Sequence, residues 1–218
     1  MRREHIVKSE DYIEWLKSFG CVFYAPLTEN DSSDNISGQP MTVGNNGTVT
    51  WDSNENAWYF QDLYSGTNDV VASWQGLNLP FDLSNIGFSI CYELKLIEDG
   101  FGGGSYIGKL IPLVLGGRTV ALNARYLVNN TNEWTKCAVV FPKYEGTSRY
   151  SYLYCNGSVT HSDNRGTTQY TGNSLTNTRI DSNYRNRNMY SGAKYYMRNA
   201  MLFNANLTQA QIREIQNI

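Results

Sequence analysis

The chain has 218 residues, a length that suits one all-β domain and is sufficient to bury a sizeable core. Its 18 basic and 20 acidic residues give a formal net charge of -2, so no overall field attracts nucleic acid or an anionic membrane. Charged residues make up only 17% of the chain, and Asn, Ser, Thr and Gly supply most of the polar content, which is typical of short strands joined by many turns.

The start of the chain and its hydropathy bear on where it acts. Residues 1–5 are mostly charged, but no apolar run of about 7–15 residues and no small-residue cleavage site follow, so we expect no signal peptide. No run of about 18 apolar residues is present, so we expect no membrane span. The sequence therefore predicts a virion or cell-surface location if the chain is an adhesin, and a cytoplasmic location otherwise.

Residues 9–19 are predicted to form the first helix. Ser9 can cap it, acidic residues occupy its first turn and Gly20 ends it. Its apolar stripe consists of Tyr12, Ile13, Trp15, Leu16 and Phe19. Either this stripe docks on the rest of the domain, or it is an attachment arm that self-associates or joins a larger assembly. We assign residues 1–19 to a helical extension and residues 20–218 to one domain.

The middle of the chain is predicted to be a series of strands separated by turns rich in Gly and Asn. Gly87–Ile97 and Trp134–Phe141 are predicted central strands because they carry apolar residues on both faces. The other predicted strands are Cys21–Leu27, Met41–Val43, Thr48–Trp51, Ala57–Gln61, Asp69–Ser73, Tyr106–Leu115, Thr119–Val128, Ser148–Cys155 and Ser158–His161. Two stretches, Trp74–Asp82 and residues 162–193, are predicted loops.

The last stretch, residues 194–215, is predicted to be a strand followed by a short helix. Strict alternation along the strand separates Tyr196, Ala200 and Leu202 from Met197, Met201 and Phe203. Thr208 is the predicted N-cap of the helix, whose apolar side carries Ile212 and Ile215.

Four cysteines lie in predicted strands, and none has the close spacing of a metal site. They are Cys21, Cys91, Cys137 and Cys155. We interpret them as buried free thiols, because cysteine behaves as a small apolar residue. A Cys137–Cys155 bridge is the alternative, if their strands pair with both thiols on one face.

Four segments in order carry a resemblance to a known family. They are APLTEN–DSSDNISG at 25–38, FSICYELKL at 88–96, NEWTKCAVVF with YLYCNGSV between 132 and 159, and NAMLFNANLTQAQI at 199–212. Together they resemble the laminin-G-like domain of the concanavalin A-like lectin/glucanase superfamily. The resemblance implies an all-β jelly-roll sandwich of two antiparallel sheets over residues 20–218. We expect an N-terminal helix and a short C-terminal helix beside it.

Some members of that family carry a structural calcium ion, and the resemblance suggests Glu29, Asp31 and Asp34 as candidate ligands here. Where the last strand of the family holds an acidic residue, this sequence has Arg198. A cation there would repel Ca²⁺, so we expect no metal and no other cofactor. We expect instead that the Arg198 guanidinium replaces the ion by pairing with one of those carboxylates.

Glucanases of this fold use paired carboxylates, which retaining chemistry requires at about 5 Å from each other. Here Glu93 stands alone in a central strand, and Glu98 and Asp99 are adjacent, so they point to opposite faces. We therefore expect no enzyme. A lyase that uses His161, Arg185 and tyrosines is the catalytic alternative.

Sugar recognition needs aromatic faces for the apolar side of a ring and polar side chains for its hydroxyls. The candidate ligand-binding residues are Tyr64, Trp74, Tyr184, Arg185, Arg187 and Tyr190. They predict a non-catalytic, lectin-like module that binds a glycan or surface polysaccharide in receptor binding or adhesion. The alternative is a structural or attachment subunit of a larger assembly, such as a phage virion or tail, with these aromatic residues serving only in packing.

Overall fold

The computed structural model describes residues 10–43, 47–62, 70–78, 87–98, 113–115, 118–120, 131–143, 150–164, 174–181 and 194–218. Helix α1 spans Glu10–Ser18 and helix α2 spans Gln209–Gln216. The strands are β1 (Cys21–Ala25), β2 (Thr42–Val43), β3 (Gly47–Asp52), β4 (Ala57–Asp62), β5 (Val70–Asn78), β6 (Phe88–Glu98), β7 (Leu113–Leu115), β8 (Arg118–Val120), β9 (Trp134–Phe141), β10 (Tyr150–Cys155), β11 (Ser158–Asn164), β12 (Ser174–Asp181) and β13 (Lys194–Phe203).

These strands form two sheets, and every strand pair in the described part of the chain is antiparallel. The larger sheet has eight strands in the order β11-β10-β9-β6-β13-β4-β3, with β1 added beside β13. The smaller sheet has five strands in the order β2-β5-β12-β7-β8. The predicted all-β sandwich with a helix at the start and a short helix at the end is confirmed.

Strand β13 changes its partner halfway along its length. Its first half, Lys194 to Met197, pairs with β4, and its second half, Ala200 to Phe203, pairs with β1. On its other side it pairs with β6 almost throughout. The last predicted strand is therefore an interior strand of the larger sheet, which pairs with β6, β4 and β1.

The change of partner coincides with a β-bulge at Asn199. Arg198 pairs with Glu93 and Met201 pairs with Cys91, so two residues of β13 stand opposite one residue of β6. Asn199 has φ 54°, in the left-handed region that asparagine tolerates better than most residues. The extra residue shifts the phase of the side-chain alternation for the rest of the strand.

This bulge corrects the predicted alternation of β13. Met197 packs in the same core cluster as Ala200 and Leu202, whereas Met201 and Phe203 belong to a second cluster. Strict alternation wrongly places Met197 with Met201, because a period of two has no room for the extra residue.

The two clusters lie on opposite faces of the larger sheet. One includes buried residues of both helices, and we call its side of the sheet the helix face. The helix-face cluster contains Leu16, Cys21, Tyr24, Cys91, Ala138, Val140, Tyr154, Met201, Phe203, Leu207, Ile212 and Ile215. The cluster on the opposite face includes Phe60, Phe88, Leu94, Phe141 and Tyr195, all of them almost fully buried.

Helix α1 docks on the helix face through its predicted stripe. Leu16 is fully buried, and Tyr12, Ile13, Trp15 and Phe19 are partly buried against the cluster. Tyr12 also meets Tyr24 of β1 edge to face, with ring centroids 5.8 Å apart. The stripe is therefore used within the chain, which favours docking over an attachment arm.

Helix α2 begins with the predicted N-cap. The Thr208 hydroxyl accepts a hydrogen bond from the Gln211 backbone N–H at 3.3 Å, and the Gln211 side chain accepts one from the Thr208 backbone N–H at 2.9 Å. This is a capping box, in which two otherwise unpaired donors of the first turn are satisfied reciprocally. It fixes the start of α2 directly after the buried Leu207.

All four cysteines are buried and none forms a disulfide, as the first interpretation predicts. Cys137 and Cys155 are direct cross-strand partners on the face away from the helices. The strand pairing that a Cys137–Cys155 disulfide would require is thus present, but both thiols are free. Burial raises the pKa of Cys21 to about 12, so its thiol stays protonated at neutral pH.

Several predicted boundaries are wrong. Trp74 lies inside β5, which continues to Asn78 instead of ending at Ser73. The predicted loop at 162–193 contains the end of β11 and all of β12. Strand β12 was not predicted because it contains polar residues of low strand propensity, such as Ser174, Asn177 and Asp181. It forms nevertheless, since cross-strand pairing with β5 outweighs that propensity. Much of the predicted pair at 106–128 and the Ser9 cap lie outside the described residues.

Within the described residues, neither helix has the length and apolar character that crossing a membrane requires.

Replacing Leu16 with Ala should lower the free energy of unfolding by about 2–5 kcal/mol, because truncating a fully buried leucine leaves a cavity. Urea denaturation measures the change. The control is Lys17→Ala, which removes only an exposed ion pair with Glu14, and should change stability by less than about 0.5 kcal/mol. Equal, small effects of both variants would contradict docking and favour the attachment arm.

Candidate functional site

Four neighbouring strands bring aromatic side chains and one lysine into a single row on the helix face. Tyr196 of β13 pairs with Tyr59 of β4 on one side and with Lys95 of β6 on the other, and Lys95 pairs with Trp134 of β9. We call these four residues the aromatic row. Because neighbouring strands lie about 4.8 Å apart, the row extends about 14 Å across the sheet.

Contacts within the aromatic row hold its side chains in place. The rings of Tyr59 and Tyr196 lie with their centroids 5.4 Å apart, and Lys95 Nζ lies 5.9 Å from the Tyr196 centroid. The same ammonium group forms an ion pair with Glu55 Oε1 at 2.6 Å. The lysine therefore bridges the aromatic row and the turn between β3 and β4.

The Tyr196 hydroxyl donates a hydrogen bond to Asp52 Oδ2 at 2.8 Å. Burial, together with the hydrogen bond to Asp52, raises the pKa of Tyr196 to about 12. The same hydrogen bond is the main cause that lowers the pKa of Asp52 below its ordinary value. At neutral pH Tyr196 is therefore a neutral phenol whose ring orientation is fixed by an ionised carboxylate.

Two positions further along β13, a second row carries charges. Arg198 of β13 pairs with Glu93 of β6, and Glu93 pairs with Lys136 of β9. We call these three residues the charged row. It lies between the aromatic row and the apolar area that the helices cover, about 7 Å from the former by the rise of a strand.

Arg198 is held on two sides. Its Nε donates to Glu93 Oε2 at 2.7 Å, and its guanidinium carbon lies 4.0 Å from the Trp134 ring centroid. The Arg198 side chain is 25% exposed and the Glu93 side chain 16%. Within the described residues, the terminal amino groups of the Arg198 guanidinium donate to no acceptor. A guanidinium fixed in this way is a prepared hydrogen-bond donor.

Asn199 connects the bulge to the charged row. Its side-chain amide donates to Glu93 Oε1 at 3.0 Å, and its side-chain oxygen lies 3.4 Å from the Tyr24 hydroxyl, which donates to it. Its backbone N–H donates to the Pro26 carbonyl at 2.9 Å. Both oxygens of Glu93 thus accept hydrogen bonds from β13, one from Arg198 just before the bulge and one from Asn199 at the bulge.

A cleft of about 480 Å³ lies between the charged row and the two helices. Tyr12 and Trp15 of α1, Gln216 of α2 and the three residues of the charged row contribute to its lining. Aromatic rings, amides and charges therefore border one space. Such a mixture of apolar surface and a few convergent polar groups is typical of ligand sites.

Lys136 joins the charged row to the end of α2. Its ammonium group donates to the main-chain carbonyls of Gln216 and Asn217, the latter at 2.9 Å. The last carbonyls of a helix lack partners within the helix and carry partial negative charge, so a cation there stabilises it. The Gln216 side chain also donates to the Cys137 carbonyl at 2.8 Å, which fixes this helix end on β9.

The sequence-predicted ligand residues are not those of the two rows. Trp74 lies in β5, where only the backbone is described. The other predicted residues, Tyr64, Tyr184, Arg185, Arg187 and Tyr190, lie outside the described residues. Their segments join the described chain at adjacent points, because Gln61 near the end of β4 pairs with Lys194 at the start of β13.

The three calcium candidates lie in the loop after β1, where two of them accept hydrogen bonds from neighbouring residues. The fully buried Asp34 accepts hydrogen bonds from the backbone N–H groups of Tyr24, Ile36 and Ser37 at 2.9–3.1 Å, and from the Ser37 hydroxyl. Asp31 accepts from Asn35 at 2.8 Å, and Glu29 is exposed. In the described part of the chain, no three His, Cys, Asp or Glu residues are arranged to hold a metal ion.

The expected pairing of Arg198 with Glu29, Asp31 or Asp34 is wrong, because Glu93 is its partner. Sequence reasoning considered Glu93 only as half of a missing catalytic pair. The signal that it lacked is strand register, which places Arg198, Glu93 and Lys136 side by side although they are distant in sequence.

Several solved structures share the fold at low sequence identity, among them three binding domains. The receptor binding domain of botulinum neurotoxin D is 13% identical with a TM-score of 0.60, and the match covers 91% of this chain and 52% of that chain. The botulinum neurotoxin serotype G binding domain is 12% identical with a TM-score of 0.57, covering 89% and 50%. The binding domain of Paraclostridial Mosquitocidal Protein 1 is 9% identical with a TM-score of 0.58, covering 91% and 52%.

The chain thus spans about half the length of each of these structures. No protein-family model matches the sequence, and no curated protein does. The comparisons show that the β-sandwich of this chain is similar in fold to half of each of these binding domains.

Replacing Asn199 with Ala should lower the free energy of unfolding by about 2–4 kcal/mol, because the variant loses the hydrogen bond to Glu93 and strains the left-handed backbone. Asn199→Gly is the matched control, since it loses the same hydrogen bond but tolerates the backbone conformation. Urea denaturation should show Gly to be less damaging by about 1 kcal/mol. If Gly were as damaging as Ala, the bulge would not depend on the left-handed conformation.

Proposed function

We propose that the chain is a non-catalytic carbohydrate-binding module that binds a glycan or surface polysaccharide across the aromatic and charged rows. The observation that supports this most directly is the geometry of the two rows. Three aromatic side chains and four charged ones lie next to a cleft of about 480 Å³.

The chemistry of the site suits a sugar. Aromatic faces such as that of Tyr196 pack against the apolar side of a sugar ring, and fixed polar groups such as Arg198 and Glu93 bond its hydroxyls. Because Arg198 and Glu93 already hold each other in place, little side-chain entropy is lost when a ligand binds. A row about 14 Å long accommodates an extended ligand better than a single small group.

Two further considerations support a binding role. The similar structures are, by their own names, binding or receptor binding domains. The sequence resemblance to laminin-G-like domains suggests lectin-like recognition. The predicted ligand residues Tyr64, Tyr184, Arg185, Arg187 and Tyr190 belong to segments attached at the end of β4 and the start of β13, and we include them in the proposed site.

A glycan array on the purified chain, followed by calorimetry with the best ligand, tests this proposal. Trp134→Ala should weaken binding about tenfold, because it removes a ring of the row and the support of Arg198. Tyr59→Ala, at the other end of the row, is a second variant in case the first misfolds. The control is Tyr150→Ala, which removes an exposed ring from β10. Absence of any glycan ligand, or unchanged binding by both site variants, would refute the proposal.

A second candidate function is that of an attachment subunit in a larger assembly such as a virion or tail, which would act at a cell or virion surface. Tyr150, Tyr152 and Val159 are 48%, 41% and 50% exposed on the paired strands β10 and β11, at one edge of the larger sheet. Clustered exposed apolar side chains favour a protein contact.

If this edge mediates assembly, the wild-type chain should form oligomers in size-exclusion chromatography with light scattering. The double variant Tyr150→Ser/Tyr152→Ser should then be monomeric. Val43→Ser, which changes an exposed apolar residue of β2, is the control and should leave the oligomer intact. A monomeric wild-type chain would contradict self-assembly through this edge.

A further inference from the structure

We propose that the ligand of the two rows is a neutral, hydroxyl-rich saccharide rather than a sialylated, uronic or sulfated one. This inference rests on the proposed function and specifies its ligand class. It is supported by how each positive charge of the site is compensated within the protein.

Two cations of the site are paired with carboxylates. Lys95 lies 2.6 Å from Glu55, and Arg198 lies 2.7 Å from Glu93. All four side chains are at most 27% exposed, so these pairs are only partly screened by solvent. A ligand carboxylate or sulfate near Arg198 would therefore also be close to the Glu93 carboxylate, and repulsion would offset the attraction.

The third cation, Lys136, is compensated by the end of α2. Its ammonium group bonds the main-chain carbonyls of Gln216 and Asn217. These carbonyls carry the negative end of the helix dipole. An anionic ligand that drew Lys136 toward itself would remove the cation from the carbonyls of Gln216 and Asn217, and the end of α2 would lose that stabilisation.

Further acidic groups lie around the site. Asp52 bonds the Tyr196 hydroxyl in the aromatic row, and Glu214 contributes to the lining of the cleft. Lys194 at the start of β13 is paired with Glu98. Within the described residues, the site thus has no cation that lacks a compensating partner, which is the opposite of the clustered basic groups that bind anions.

Sugar hydroxyl groups match the hydrogen-bonding capacity that Arg198 and Glu93 have not used within the protein. The terminal amino groups of Arg198 donate to no acceptor in the described part of the chain, and each oxygen of Glu93 has lone pairs beyond the one bond it accepts. A sugar hydroxyl both donates and accepts, so adjacent hydroxyls can engage the guanidinium and the carboxylate together. An anionic group can only accept, so it would offer no donor to the remaining lone pairs of Glu93.

The test compares neutral oligosaccharides with their sialylated, uronic and sulfated counterparts on one array, followed by calorimetry of the best matched pair. The neutral member should bind at least about tenfold more tightly. Its Kd should change less than about twofold between about 50 and about 500 mM NaCl, because screening affects mainly net charge–charge attraction. Tighter binding of the charged member would overturn the inference and leave the proposed function standing. If no saccharide binds, both fail.

A variant separates compensation by Glu93 from a general preference for neutral sugars. Glu93→Gln removes the negative charge but keeps an acceptor for Arg198, and should lower the neutral-over-charged selectivity at least about fivefold. The control is Glu14→Gln, which removes the exposed partner of Lys17 in α1, outside the lining of the cleft, and should leave the selectivity unchanged. Unaltered selectivity in Glu93→Gln would also overturn the inference.

Discussion

The left-handed backbone of Asn199 is the constraint on which the arrangement of the helix face depends. One inserted residue in β13 reverses which side chains point to which face. Before the bulge, the helix face receives Tyr196 and Arg198; after it, the same face receives Met201 and Phe203. A single strand therefore supplies both a polar surface and the apolar residues Met201 and Phe203 on one side of the sheet. Strict alternation of this sequence would instead place Ala200 and Leu202 on that side and bury Asn199 in the opposite cluster with Met197.

The helices cover only the apolar part of that face. Leu16, Ile212 and Ile215 bury themselves against the sheet where it is apolar, because hydrophobic burial is what holds short amphipathic helices in place. The charged row begins where this cluster ends, and the cleft lies along the boundary. The position of the candidate site therefore follows from how far the helices extend over the sheet. Two hydrogen bonds hold the boundary between the charged row and the helix-covered area, one from Asn199 to Glu93 and one from Lys136 to the end of α2.

Local signals predicted most of the fold. The stripes of the two helices, the N-cap of α2, the strands β6 and β9 and the burial of the four cysteines depend on residues close in sequence, and all of them are confirmed. Strand β12 and the full length of β5 were missed, since a polar strand is specified by its neighbours rather than by its own composition. The two rows were missed because Tyr59, Glu93, Trp134 and Arg198 meet only through register, and the bulge that sets this register has a weak sequence signal, a single asparagine.

The cysteines have a consequence for how motions of this domain can be followed. Cys21, Cys91, Cys137 and Cys155 are all buried, and burial raises the pKa of each thiol. In the folded chain they are therefore inert toward alkylating reagents, and they become reactive only when the surrounding strands separate. Since they sit on β1, β6, β9 and β10, the wild-type chain carries native chemical reporters on four strands of its larger sheet, and labelling each thiol in turn would reveal the order in which these strands open.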